Sequence, residues 1–150
     1  MKVFNIRKAK YANSLVASGV ANRWNKEEEF ILYTGSSIAL SVLELLAHRS
    51  GIQIGLGYKL LTLELDVDEE DIQRIKPLDL PKDWRSIKSY PLLQEIGSNW
   101  YQSRRKLLME VPSAIVPWES NFLINTRHSL FEKKVALAKV EDFEWDNRLL

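Results

Sequence analysis

Four polar side chains, Ser37, Ser41, Glu44 and His48, punctuate an otherwise apolar run from Ser37 to His48 at spacings of four, three and four. On a helix that spacing sets all four on one line. The line has two readings: the solvated stripe of an amphipathic helix, or the wall of a cleft in which Glu44 does acid/base or cation-stabilising work. His48 is then a hydrogen-bonding neighbour on the same stripe, because two residues make a poor metal site. Arg23-Trp24-Asn25 sets a guanidinium beside an indole in a polar stretch. It can bind an anion next to a ring, or be a loop anchored by one buried Trp with an exposed Arg. Tyr33 closes a short apolar run ahead of Thr34-Gly35 and is either a core ring or one presented to a ligand. Ser113 places a hydroxyl after Pro112, an arrangement most often found at a bend.

Other chemistries are poorly served. Gly55-Leu56-Gly57 begins like a dinucleotide fingerprint, yet it precedes a strand-like run and no third Gly opens a helix. No Walker loop and no Gly-x-Ser-x-Gly elbow occur. The chain has no Cys and only His48 and His128, which removes thiolate chemistry and argues against a metal. Among its 150 residues, 21 Lys and Arg balance 20 Asp and Glu for a net +1, too even for a protein that tracks DNA directly. Arg104-Arg105-Lys106, the densest basic cluster, reads as a solvated helix end. The N-terminus shows no export signal and the longest apolar stretch falls short of the roughly 20 residues of a membrane span, so a cytoplasmic protein without a membrane partner is expected.

The elements that must position these residues follow from pattern. Val3 to Ile6 and Phe30 to Tyr33 read as short strands, with a long loop from about Asn13 to Glu29 between them. A helix from about Ser37 to His48, capped by Ser36 or Ser37, is apolar around most of its circumference and is expected to be largely buried. After a Gly-containing connection, Tyr58 to Val67 reads as a long strand ending in the acidic turn Asp66 to Asp71. Leu80 to Trp84 is a turn with an anchoring aromatic. Ser89 and Pro91 open a helix with Leu92, Leu93, Ile96 and Trp100 on one face. Leu107 to Val111, Ala114 to Val116 and Val135 to Phe143 are further strands. Irregular interleaving without linkers or repeats predicts one domain over residues 1–150, of α+β class with a mixed, largely antiparallel β-core and flanking helices.

Taken in order, these blocks resemble the RES-domain family, the toxin components of bacterial Xre–RES toxin–antitoxin pairs. The resemblance runs from Val3 almost to Leu149 and rests on Lys8 to Ala12, Arg23-Trp24-Asn25, Leu32-Tyr33-Thr34, Leu43 to His48, Leu80 to Trp84, Val111 to Pro117, Asn121 to Asn125 with His128, and Phe143 to Leu149. It implies an ADP-ribosyltransferase-like fold that takes NAD as substrate, needs no metal, and breaks the nicotinamide–ribose bond. It also implies a helix-turn-helix (Xre-type) antitoxin as partner, which covers the active site and carries the DNA contacts. On this resemblance Arg23, Tyr33, Glu44 and Ser113 match the family's active-site positions, with Asn5 and Asn121 in the NAD-contacting set. Glu44 would stabilise the oxocarbenium-like centre, Arg23 would pair with the pyrophosphate, Tyr33 would stack on a ring, and Ser113 would orient Glu44 or a ribose hydroxyl.

Two positions depart from the family pattern. Asn5 stands where an Arg is usual in the first strand, which keeps hydrogen bonding but loses a charge and predicts a weakened site; Arg7 shares its strand face and is a partial substitute to test. Asn22 replaces a Gly before the Arg-Trp-Asn motif, a change that a left-handed backbone tolerates. The resemblance leaves open NAD hydrolysis or phosphorolysis, protein ADP-ribosylation, and a non-catalytic member that only holds a nucleotide or the antitoxin.

Overall fold

The computed structural model describes residues 1–48, 52–53 and 55–150, so part of the Gly-containing connection lies outside the described residues. Seven strands form one sheet: β1 (Lys2–Lys8), β2 (Ile31–Gly35), β3 (Tyr58–Leu65), β4 (Ile72–Arg74), β5 (Leu108–Pro112), β6 (Ser120–Asn125) and β7 (Val135–Phe143), in the order β4-β5-β6-β2-β1-β3-β7. Every pairing is antiparallel except β4 with β5. Helices α1 (Ile38–Ala47) and α2 (Tyr90–Ser103) flank the sheet, and a single turn, α3 (Phe131–Lys134), leads into β7. The expected α+β class with a mixed, largely antiparallel core is the observed one.

Register places both long helices on the same face. Phe4 pairs with Gly35, Gly35 with Asn121, and Asn121 with Val111, while Tyr33 pairs with Leu123 and Leu123 with Met109. Paired residues share a face, as do residues two apart on a strand. Phe4 and Ile6 therefore meet Val42 and Leu45 of α1 on the face where Met109, Val111 and Leu123 meet Leu93, Trp100 and Tyr101 of α2. Between the helices the sheet is uncovered by either. Its other face buries Val3, Leu32, Leu61, Leu63, Leu65, Leu108 and Ile124 beneath Ala12 and Ala17 of the loop after β1.

The centre of the sheet is split. β1 and β2 share a single register pair, Phe4 with Gly35, and beyond it the Asn5 side chain replaces the missing ladder bond by donating from Nδ2 to the Tyr33 carbonyl at 2.9 Å. α1 closes over this point because Gly35 has no side chain: a Cβ there would lie 2.5 Å from Ser41 Oγ.

Several expectations are corrected. α1 is not largely buried, since only Leu40 and Ser41 are, whereas Ile38 and Leu43 are 41% and 40% exposed. The cause is the Gly35 contact, which turns the polar stripe toward the sheet and lets the Ser41 hydroxyl donate to the Phe4 carbonyl at 3.1 Å. In α2 the inward line is Leu93, Gly97, Trp100 and Tyr101, with Leu92 out in solvent. Ala114 to Val116 is a bend; the strand is β6, which begins four residues after Val116 and carries Asn121 on the same face as Leu123. The acidic turn also runs on into a short unanticipated strand, β4, whose register with β5 is set by Ile72 opposite Leu108.

Candidate active site

The inward stripe of α1 begins at its cap, where Ser37 Oγ accepts the Leu40 N–H at 3.0 Å. Two turns on, Glu44 Oε1 accepts from Ser113 Oγ and from Asn121 Nδ2, each at 2.7 Å. The Ser113 hydroxyl is not free to turn elsewhere. Its oxygen already accepts the N–H groups of Ile115 and Val116 at 3.1 and 3.0 Å, which leaves its one proton for the carboxylate. Ser113 is fully buried behind Glu44 and so orients the acid without facing the cleft. Asn121 reaches the acid from β6, and its Oδ1 is buried with no hydrogen-bond partner among the described residues. No described residue donates to Glu44 Oε2.

The Arg23-Trp24-Asn25 loop is fastened to α2. Trp24 is buried and its carbonyl presses on Gly97, where a Cβ would fall 1.6 Å from that oxygen. Gln94 Nε2 donates to the Asn22 carbonyl at 2.9 Å. Buried Glu29 accepts from the Lys26 N–H at 2.7 Å and from Ser98 Oγ at 2.6 Å. Thus held, Arg23 donates from Nη1 to the Arg85 carbonyl at 3.0 Å and lies over the Tyr90 ring, 4.8 Å from its centroid.

Tyr33 links this loop to the sheet. Its hydroxyl donates to Asn25 Oδ1 at 2.6 Å and accepts the Trp24 N–H at 3.1 Å. Burial pushes the phenol pKa far up, so it remains a donor at neutral pH. The ring is left facing the opening, while the hydroxyl is committed.

Between α1 and α2 lies a cleft of about 500 Å³ whose lining includes Arg23, Tyr33, Glu44, His48, Arg85, Tyr90 and Asn121. A smaller lobe of about 160 Å³ shares Tyr33, Glu44, His48 and Asn121 and extends to Asn5 over the split in the sheet. The larger lobe falls within the size range of small-molecule sites. Tertiary structure thus brings Arg23, Tyr33, Glu44, Asn121 and Asn5 onto one opening, with Ser113 behind. Asn5 reaches it already engaged, since its Oδ1 accepts from Arg7 Nε at 2.7 Å. Arg7 shares that strand face, as expected, but its Nη1 turns to the carbonyls of Tyr11, Ser14 and Val16 and it does not line the opening. Burial lowers the Arg7 pKa from its ordinary value.

Arg85 and Tyr90 escaped sequence reasoning. Arg85 follows the Leu80 to Trp84 block and Tyr90 opens α2, and neither position carries a local pattern separating it from a surface residue. Among the described residues no group of three His, Cys, Asp or Glu side chains is arranged to hold a metal, and no helix is long and apolar enough to cross a membrane.

Known proteins bear on this geometry. The family model for the RES domain matches residues 2–146. A protein called Toxin Res from Yersinia enterocolitica is 32% identical over 89% of this chain and 86% of its own length. Another Toxin Res, from Photorhabdus laumondii, is 30% identical over 100% of this chain and 97% of its own length. A Prs ADP-ribosylating toxin from Sphingobium is 36% identical over 85% of this chain and 80% of its own length. With the match spanning the sheet, both long helices and every residue of the cleft, this chain belongs to the RES domain family.

Proposed function

We propose that the protein is a toxin that binds NAD in the α1–α2 cleft and breaks its nicotinamide–ribose bond, depleting the cell of NAD. The observation that carries this reading is the Glu44 carboxylate, held by Ser113 and Asn121 on the wall of a cleft that also presents Arg23. When the bond from ribose C1′ to the pyridinium nitrogen breaks, the electron pair leaves with nicotinamide. The ring departs neutral and positive charge develops on C1′ and the ribose ring oxygen. A fixed carboxylate beside that centre stabilises it more in the transition state than in the ground state. The acceptor oxygen, of water or phosphate, then bonds to C1′ and sheds its proton to solvent. Arg23 supplies the charge for the pyrophosphate, and the Tyr33 and Tyr90 rings supply flat surface for a base.

In this reading the protein works in the cytoplasm with an Xre-type, helix-turn-helix antitoxin that covers the cleft, and it meets DNA only through that partner. The test is NAD loss with the purified chain, with and without phosphate, beside Glu44→Ala and Asn5→Arg. Consumption by the parent that falls by about 10²–10³-fold in Glu44→Ala is expected, the size of effect seen when a positioned transition-state charge partner is removed. No consumption by the parent or by Asn5→Arg with any acceptor overturns the reading. A second reading, transfer of ADP-ribose to a protein, is favoured by the name of the Sphingobium relative. Transfer of radiolabel from NAD to a protein in a lysate distinguishes it.

A further inference from the structure

We infer that Arg85 is a second anion-binding residue of the cleft, holding a phosphate group jointly with Arg23; the inference rests on the NAD reading and extends it. Arg85 lines the cleft on the wall opposite α1, next to Ile87 and Tyr90. Its Nε donates to the Ala114 carbonyl at 2.6 Å, the residue immediately after Ser113. That single bond fixes the plane of the guanidinium, and neither Nη1 nor Nη2 has a hydrogen-bond partner among the described residues. The two amino groups form the fork that grips phosphate oxygens in pairs.

The two arginines interlock. Arg23 donates to the Arg85 carbonyl, and Arg85 donates to Ala114, so backbone oxygens hold both side chains in place. Carbonyls carry no net charge, and neither guanidinium forms an ion pair among the described residues. The one carboxylate in the lining is Glu44, already receiving two donors. Two uncompensated positive charges on one wall favour a bound dianion over bulk counterions. The link through Ala114 also sets the distance from this fork to the Ser113–Glu44 pair, hence from a bound phosphate to the ribose carbon under attack. The anion is either the substrate's pyrophosphate or a free phosphate acting as acceptor; both are phosphate oxygens in one fork.

The experiment compares the parent, Arg85→Gln and Arg85→Lys in turnover of NAD and of nicotinamide riboside, which lacks phosphate, and in calorimetric titration with inorganic pyrophosphate. Arg85→Gln is expected to raise the KM for NAD and weaken pyrophosphate binding by about tenfold, as loss of a bidentate guanidinium does, with nicotinamide riboside cleavage unchanged. Arg85→Lys is expected to recover only part of this, having charge without the fork. Loss of phosphate acceleration at an unchanged KM for NAD would assign the fork to the acceptor instead. Equal losses on NAD and nicotinamide riboside, or pyrophosphate binding equal to the parent's, overturn the inference. If neither the parent nor Asn5→Arg cleaves either substrate, the NAD reading fails, and the pyrophosphate titration alone decides Arg85.

Discussion

Ser113 Oγ donates to Glu44 Oε1 at 2.7 Å across 69 residues of sequence, and two backbone N–H groups from the bend that follows Ser113 prevent the hydroxyl from pointing anywhere else. An acid on one helix is thereby aimed by a bend at the end of a strand. The aim is rigid because Ser113 is fully buried and makes all its hydrogen bonds to protein atoms.

Ser113→Ala removes one donor from Glu44 and leaves the Ile115 and Val116 N–H groups without their acceptor. Stability falls by about 1–3 kcal/mol, the cost of unsatisfied buried donors. Losing a charge-assisted bond of about 1.5–3 kcal/mol at the acid lowers kcat roughly ten- to a hundredfold. KM for NAD changes little, because the hydroxyl does not face the cleft. Steady-state kinetics with urea unfolding checks both effects.

Gly97→Ala forces a methyl group against the Trp24 carbonyl, where the ideal Cβ lies 1.6 Å away. Backbone on both sides has to separate, at a cost of about 1–3 kcal/mol or more. Arg23 rides on the displaced loop, so KM for NAD rises together with the loss of stability. An equal melting temperature for the variant and the parent would show that the contact is not tight.

Tyr33→Phe keeps the ring and removes the hydroxyl between Asn25 Oδ1 and the Trp24 N–H, destabilising by about 1–3 kcal/mol. Because burial raises the phenol pKa in the folded state, this group's contribution is fully present below about pH 10, where the unfolded phenol ionises, and falls as pH rises above it. The parent therefore loses stability more steeply than Tyr33→Phe across the alkaline range, measured as urea midpoints from pH 9 to 11.

Asp71 holds the end of β7's lead-in turn: its Oδ2 accepts from Lys134 Nζ at 2.7 Å and from the Asp68 N–H at 3.1 Å. Burial alone would raise its pKa, but the Lys134 and Asp68 hydrogen bonds outweigh burial and set it below the usual carboxylate value. Its stabilisation is present above the unfolded pKa of about 3.9 and lost as pH falls through the lower folded value. Asp71→Asn flattens that acid limb, seen in circular dichroism titrations between pH 5 and 2.

Much of the fold was legible because its cues are local. Ser37 caps α1, Pro91 sits in the first turn of α2, and the β-prone runs became β1, β2, β3, β5 and β7 with small shifts of boundary. Misreadings arose where a neighbour overrode the local pattern. Ala114 to Val116 has strand-like composition, yet Ser113 draws two of its N–H groups onto a side chain and makes it a bend. Leu92 has the right spacing for a core position, but the line through Leu93 and Gly97 is the one that fits against Trp24.

The candidate site divides the same way. From the sequence came the residue types and the alignment of Ser37, Ser41, Glu44 and His48, because helical periodicity is a property of a few neighbouring residues. Whether that stripe met water or a cleft was decided only in three dimensions, by how α1 folds back over the sheet from Gly35 at the end of β2, whose missing side chain lets Ser41 approach. Arg85 and Tyr90 became cleft residues, and Asn5 became a bridge across the split between β1 and β2, through contacts with chain segments far away in sequence. Side-chain chemistry is written at each position; the direction in which a side chain points is set by which strands pair and which helix packs above them, and only the folded chain contains that information.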